Sequence, residues 1–156
     1  MTISEQSALL LASLDSWTGL VSGRAYIASD PADVLDQLRA RPGTPTAAVL
    51  WTAEDPIGEY PEEGKVLRTF KIVISRGRGF NLITGESLTK GTAGGPPLLD
   101  LIEEARECVL TVRLTDEPSE LKLPIYRGAS AFEVQDFLLD AYEIRLALYA
   151  QIPPQA

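Results

Sequence analysis

The most regular pattern of hydrophobic and polar positions lies late in the chain, from Tyr142 to Ile152. Every second residue of this segment is apolar, while the positions between them are mostly polar or small. Because side chains alternate between the two faces of a strand, the segment predicts a strand with one buried and one solvated face. This arrangement is typical of an antiparallel sheet.

Other apolar stretches predict further strands. The continuous run Ala47–Ala53, bounded by prolines, is typical of a strand buried on both faces. Val66–Ser75 alternates, with an apolar set on one face and a more polar set on the other. Two shorter stretches, Val109–Leu114 and Leu121–Arg127, also predict strands.

Helix signals occur before and between these strands. Thr2 and Glu5 have capping-box spacing, which predicts a helix over residues 3–15. Asp30 followed by Pro31 predicts the start of a second helix, because proline suits the first helical position.

A third helix is expected to begin near Pro97, because apolar and acidic residues then segregate to opposite sides. Residues 128–141 leave two possibilities open. Ser130 and Glu133 have capping-box spacing, which favours a helix, whereas the same residues could extend a hairpin.

These elements predict one α+β domain spanning residues 1–156, with its helices packed on one face of a mostly antiparallel sheet. Residues 77–95 hold six glycines among 19 residues and are expected to form a loop. A loop of this length inside a compact domain is usually functional or mobile. Residues 153–156 are expected to fray.

Composition narrows the classes of function. Among 156 residues the net charge is −8, and there is no histidine and a single cysteine. Sequence-specific DNA binding is disfavoured, since binding to phosphates favours basic proteins. Without histidine the commonest general base and metal ligand are missing. We therefore expect no catalytic residues, no metal and no cofactor. No secretory signal or bilayer-spanning stretch is visible, so the protein is expected to start in a cytoplasm.

Short motifs support no enzyme class. The segment 85–91 has a lysine near glycines but lacks the spacing of a phosphate loop. Ser87 and Lys90 match the Ser-x-x-Lys pattern of serine acyltransferases, without its companion motifs. Cys108 follows an acidic helix end, where neighbouring acids raise a thiol pKa, and is expected to be a buried structural residue.

Two oppositely charged segments adjoin in the middle of the chain. Residues 54–63 hold five acids and no base, and residues 65–78 hold five bases and no acid. One segment can meet the other across a subunit boundary and fix the register of an assembly. Equally, both segments can serve solubility alone.

The order of features from Val66 to Ile152 resembles a bacteriophage family. A strand with basic ends (VLRTFKIVISRGRG) precedes a loop, a helix that opens PLLDLIEEA, a strand pair reaching LPIYRG, and a closing strand (YEIRLALYAQI). This order is similar to that of the tail terminators, also called tail-completion or minor tail proteins, of long-tailed phages, including the Mu-like form. The resemblance covers over half of the chain.

The resemblance implies a structural virion protein of the tail or neck, assembled in the host cytoplasm. Such proteins form a homo-oligomeric ring, usually a hexamer, that caps the tail tube and ends its polymerisation. The ring offers a surface to neck, head-completion or connector proteins, and genomic DNA passes through it without sequence specificity. The resemblance implies no catalysis, no cofactor and no membrane contact.

The resemblance also implies two contact surfaces. The strand and loop between Arg68 and Lys90 would face the tube or the lumen, and the sheet edges, including Tyr142–Ile152, would meet neighbouring subunits. The residues implied are Arg68, Lys71, Arg76, Arg78 and Lys90 for the first surface, and Glu143, Arg145 and Tyr149 for the second.

Two other classes of function remain open on the sequence. The protein could be a small-molecule binding or regulatory module with the glycine-rich loop as a lid, which would need a pocket with convergent polar groups. It could also be a hydrolase or transferase that uses carboxylates alone.

Overall fold

The computed structural model describes residues 1–17, 25–40, 46–57, 64–77, 98–114, 123–132 and 139–152. These residues form three helices and five strands in one sheet. In chain order the elements are α1 (Ile3–Asp15), β1 (Ala25–Ile27), α2 (Pro31–Ala40), β2 (Thr46–Pro56), β3 (Lys65–Gly77), α3 (Leu98–Leu110), β4 (Ile125–Ala131) and β5 (Leu139–Gln151).

The sheet has the strand order β1-β2-β3-β5-β4. Only β1 and β2 run parallel; the other three neighbouring pairs are antiparallel. The predicted α+β class and mostly antiparallel sheet are therefore confirmed. The three-residue β1 was not predicted. It pairs in parallel with β2, and parallel neighbours need a crossover connection between them. Helix α2 lies in this connection.

The larger core lies between one face of the sheet and two helices, α1 and α3; we call this the helix-covered face. The alternating apolar positions of the central strands point into it, as the sequence predicts. The buried members include Leu10 and Leu14 from α1, Leu101, Ala105 and Val109 from α3, and Phe70, Ile72, Ile74, Ile144, Leu146 and Leu148 from the sheet.

Helix α2 packs on the opposite face, which differs from the expectation that all helices share one face. Its Val34 is fully buried against Ala48, Leu50 and Val73. The first five residues of β2 are buried on both faces, as its continuous apolar run predicts. A run that is apolar on both sides needs cover on both sides, and α2 supplies the second cover.

The starts of the first two helices follow their sequence signals. Thr2 and Glu5 form the capping box of α1, with the Glu5 N–H donating to Thr2 Oγ1 at 3.1 Å and the Thr2 N–H donating to Glu5 Oε2 at 2.7 Å. Before α2, the Asp33 N–H donates to Asp30 Oδ1 at 2.8 Å. Both helices begin where the sequence predicts.

Several predictions of element boundaries need correction. The predicted strand Val109–Leu114 is wrong, because α3 continues to Leu110 and residues 111–114 belong to no strand. The predicted strand Leu121–Arg127 overlaps β4, but β4 both begins and ends four residues later than predicted. Ser130 lies in β4 rather than at a helix start, so the hairpin alternative holds for the described part of residues 128–141.

The residues of two other predictions lie mostly outside the described part of the chain. Of the predicted loop 77–95 only Gly77 is described, at the end of β3, and the predicted frayed segment 153–156 also lies outside. None of the described helices is long and apolar enough to cross a membrane.

Candidate functional site

Three of the predicted contact residues come together on the face of the sheet that carries α2. Lys71 of β3 lies directly opposite Arg145 of β5, and Glu143 is two residues along the same face. Lys71 Nζ lies 3.1 Å from Glu143 Oε2, and Arg145 Nη1 lies 3.4 Å from the same oxygen. The structure thus groups one carboxylate with two half-exposed cations.

Glu143 is buried, with 8% of its surface exposed. Its Oε2 atom accepts no well-directed hydrogen bond, although two cations lie within 3.4 Å of it. Their attraction is therefore Coulombic rather than directional. Arg145 Nη1 also donates to Ser130 Oγ at 2.7 Å, which ties the cluster to β4.

Gly128 makes room for this arrangement. Its φ of +107° falls where β4 and β5 shift register between Tyr126 and Ala129. A methyl group at Gly128 would lie 3.0 Å from Arg145 Nη2. Glycine therefore allows both the bend of the strand and the close approach of the guanidinium group.

Arg68 lies on the helix-covered face and has only 5% of its surface exposed. Its Nε donates to Glu54 Oε1 at 2.7 Å, and its Nη1 donates to the Met1 carbonyl oxygen at 2.7 Å and to Gln6 Oε1 at 3.1 Å. The fully buried Gln6 donates in turn to the Tyr149 carbonyl oxygen at 2.8 Å. In this chain Arg68 is therefore a buried link between α1 and the sheet, separate from Lys71, Glu143 and Arg145.

The remaining predicted residues are less informative. Tyr149 is half-buried and lies on the same face as Lys71 and Arg145. The backbone of Arg76 pairs with Asp140 in the β3–β5 ladder. Arg78 and Lys90 lie outside the described residues, so their contact with a tube or lumen stays a prediction.

The prediction that Tyr142–Ile152 is a sheet edge is wrong for residues 142–147. Within the described residues β5 pairs with β3 along its whole length, and with β4 on its other side from Tyr142 to Ala147. The regular alternation of the segment reflects the burial of its apolar face under α1 and α3. The outer strands of the sheet are β1 with β2 at one end and β4 at the other.

The first outer edge, which we call the β2 edge, opens where β1 stops. β1 pairs only with residues 47–49, so no described strand pairs with the outer side of β2 from Leu50 to Pro56. Trp51 and Ile27 are 41% and 49% exposed here. They border a cleft of about 240 Å³ that also includes Ile3, Ser4 and Ser7.

The second outer edge is β4, and we call it the β4 edge. It exposes two large apolar residues, Leu123 just before the strand and Tyr126 within it. The Arg106 guanidinium lies over the Tyr126 ring, 5.6 Å from its centre. A cation in that position is attracted by the ring's electron-rich face.

The two edges carry opposite charges. Asp55 and Glu54, of which Glu54 also pairs with the buried Arg68, are exposed at the β2 edge, whereas Arg127 is exposed and Arg106 half-exposed at the β4 edge. Sequence reasoning missed the apolar residues of both edges, since Trp51 lies within the continuous apolar run Ala47–Ala53 and resembles a core residue. Only its position beyond the last β1 pairing exposes it.

Cys108 is half-buried in α3, and its thiol donates to the Ser13 carbonyl oxygen at 2.9 Å. Burial raises the pKa of the Cys108 thiol above the ordinary value of 9.0. The raised pKa agrees with the sequence prediction, but burial, rather than neighbouring acids, is its main cause.

We expect alkylation of Cys108 by iodoacetamide to have a pH midpoint above that of an ordinary thiol, because only the thiolate reacts. In denaturant the same thiol should regain its ordinary midpoint of about 9.0. The unfolded chain loses this proton first as the pH rises, so the thiol's contribution to stability declines above that value. Equal midpoints for folded and unfolded protein would contradict the assignment.

The described residues include no group of three acidic or cysteine side chains that could hold a metal ion. Small-molecule sites usually measure roughly 300–1,000 Å³. The cleft beside Trp51 is smaller, whereas a second cleft, beside Met1, Arg68 and Gln151, measures about 400 Å³. No protein-family model matches the chain. A search of curated proteins also returned no match.

Proposed function

We propose that this protein is a structural subunit that assembles into a ring on the end of a phage tail tube. The observation that supports the proposal best is the difference between the two outer edges of its sheet. Each edge exposes two large apolar residues, and the edges carry charges of opposite sign. Such edges suit head-to-tail contacts between copies.

A head-to-tail contact uses a different surface on each partner, so every subunit keeps one free edge for the next copy. Contacts of this kind form a closed ring when the rotation between neighbours closes, and an open filament when it does not. A ring is the form that the resemblance to tail terminators implies, with a hexamer as its usual size. Its partners would be the tube protein on one side and a neck or connector protein on the other.

Mass in solution tests the proposal directly. We expect native mass spectrometry to find a closed oligomer, or a monomer that becomes a ring when tail tubes of the same phage are added. Electron microscopy of tails assembled without the protein should show overlong tubes that do not join heads. A protein that stays monomeric at all concentrations and does not bind tube ends would contradict the proposal.

The alternative of a small-molecule binding module makes a different prediction for the same preparation. Such a module would remain a monomer and would be stabilised thermally by its ligand. The predicted lid, residues 77–95, lies outside the described part of the chain apart from Gly77.

A further inference from the structure

Backbone hydrogen bonds reveal which groups of β2 point toward its open edge. The Ala28 N–H donates to the Val49 carbonyl oxygen at 2.9 Å, so the backbone groups of Val49 face β1. Orientation alternates along a strand, and the register shift between Trp51 and Ala53 inserts one extra residue. Trp51 and Glu54 therefore direct their N–H and carbonyl groups outward, three residues apart.

Backbone groups alternate in the same way along β4. The Phe132 N–H donates to the Ala141 carbonyl oxygen at 2.9 Å, so Phe132 faces β5 and Ala131 faces outward. Ala129 then also faces outward. The register shift between Tyr126 and Ala129 makes Tyr126 the next outward residue, again three residues away.

In both edges, therefore, the register shift separates two outward-facing residues by three positions instead of the usual two. We propose that β4 of a second copy adds to the open part of β2, with Ala129 opposite Trp51 and Tyr126 opposite Glu54. In this register residues 125–130 of β4 lie opposite residues 55–50 of β2, along the part whose outer side no described strand pairs with, and Ala131 reaches Val49, where β1 ends. This inference rests on the proposed self-association and specifies its contact.

Strand direction is consistent with this pairing. Within one chain β2 runs antiparallel to β3, β3 antiparallel to β5, and β5 antiparallel to β4, so β2 and β4 are antiparallel. A neighbour related by rotation about an axis along the strands keeps the same strand directions. Its β4 therefore reaches β2 in antiparallel orientation, and the helix-covered faces of both copies stay on the same side.

The side chains at this contact complement each other. Trp51, Glu54, Tyr126 and Ala129 all project from the helix-covered face, because each lies opposite a residue of that face in the neighbouring strand. The small Ala129 leaves space for the exposed indole of Trp51. Arg106, which covers Tyr126, would arrive beside the partly exposed carboxylate of Glu54.

Disulfide trapping tests the register. Asp55 and Ile125 would form the adjacent non-hydrogen-bonded pair, because each directs its backbone groups inward within its own chain. Such pairs place Cα atoms about 4.5 Å apart, within the range that a disulfide spans. We expect Asp55→Cys with Ile125→Cys, in a Cys108→Ser background, to yield covalent oligomers under mild oxidation.

The matched control is Asp55→Cys with Ala131→Cys, which moves one thiol to the far end of β4 and to the other face. We expect the first pair to cross-link about tenfold more than the control, since distant thiols cannot bridge without backbone movement. Equal cross-linking of the two pairs would overturn the proposed register.

A proline tests the backbone pairing itself. Ala129→Pro removes an N–H that points away from β5, so the folded monomer should persist while assembly is lost. Circular dichroism checks the fold, and native mass spectrometry checks the assembly. If the wild type assembles and Ala129→Pro assembles equally well, this contact is rejected while ring formation stands. If the wild type never assembles, the proposed function itself fails.

Discussion

Gly64→Ala is expected to lower the free energy of unfolding by about 3 kcal/mol or more, enough to unfold much of a marginally stable domain. Gly64 has a φ of +67°, which costs a residue with a side chain about 1–2 kcal/mol. Its carbonyl oxygen also accepts a hydrogen bond from the Ile152 N–H at 2.7 Å. A methyl group at Gly64 would overlap the Ile152 carbonyl oxygen.

Urea unfolding followed by circular dichroism measures this loss. Gly64→Asn separates the two causes of the loss, which are the positive φ and the overlap with Ile152, because asparagine tolerates a positive φ but still carries a Cβ. We expect Asn to recover only a small part of the loss, since the overlap with Ile152 remains. Ala8→Ser, at an exposed position of α1, should stay within about 0.5 kcal/mol of the wild type. An unchanged unfolding midpoint for Gly64→Ala would contradict this account.

Arg68→Ala should lower the free energy of unfolding by about 3 kcal/mol, because it removes the central donor of a buried polar cluster. Gln6 is fully buried and would lose the donor to its Oε1 atom, and the Met1 carbonyl oxygen would lose the donor 2.7 Å away. Glu54 would also lose its ion-pair partner, although its own partial exposure reduces that cost.

Lys71→Ala provides the matched control for Arg68→Ala. Lys71 is the neighbouring cation of β3, but it is half-exposed and lies on the opposite face, and Arg145 still faces the buried Glu143 when Lys71 is lost, so its loss should cost less than that of Arg68. The double variant Arg68→Met with Gln6→Leu should be more stable than Arg68→Ala, because its apolar side chains fill the space of the lost guanidinium group and leave no buried amide half-paired, although the Tyr149 carbonyl oxygen loses its donor. Similar losses for Arg68→Ala and Lys71→Ala would refute the structural role of Arg68.

The parts of the fold that the sequence predicts are those in which one local signal dominates. The capping box of Thr2 and Glu5 marks the start of α1, and the alternation in β3 and β5 marks strands with one strongly apolar face. In these segments the local preference and the tertiary environment favour the same structure, so pattern reasoning succeeds.

The errors arise where tertiary contacts decide. Val109–Leu114 begins with residues of a strand-like composition, yet Val109 completes the buried side of α3 and is helical. The three-residue β1 is too short to carry a periodic signal, and its existence depends on pairing with β2. The side on which α2 packs depends on which face of β2 is still uncovered.

The candidate site was predictable only in part. The grouping of Lys71, Glu143 and Arg145 follows from alternation once β3 and β5 are neighbours. Arg68 belongs to the same basic segment, but the parity of the strand places it under α1. The two edges depend on strand order and on where β1 stops, neither of which a single sequence reveals.

The central position of β5 has a consequence for biosynthesis. The ladder between β3 and β5 joins Lys65 to Gln151, so the middle of the sheet cannot close until residue 151 has been made. Pairing between such distant segments is slow, because a long loop must be ordered first. If synthesis stops before β5 has been made, the strands that form the two outer edges are not yet joined in one sheet. Products that stop before β5 would therefore lack the pair of edges that the proposed ring needs.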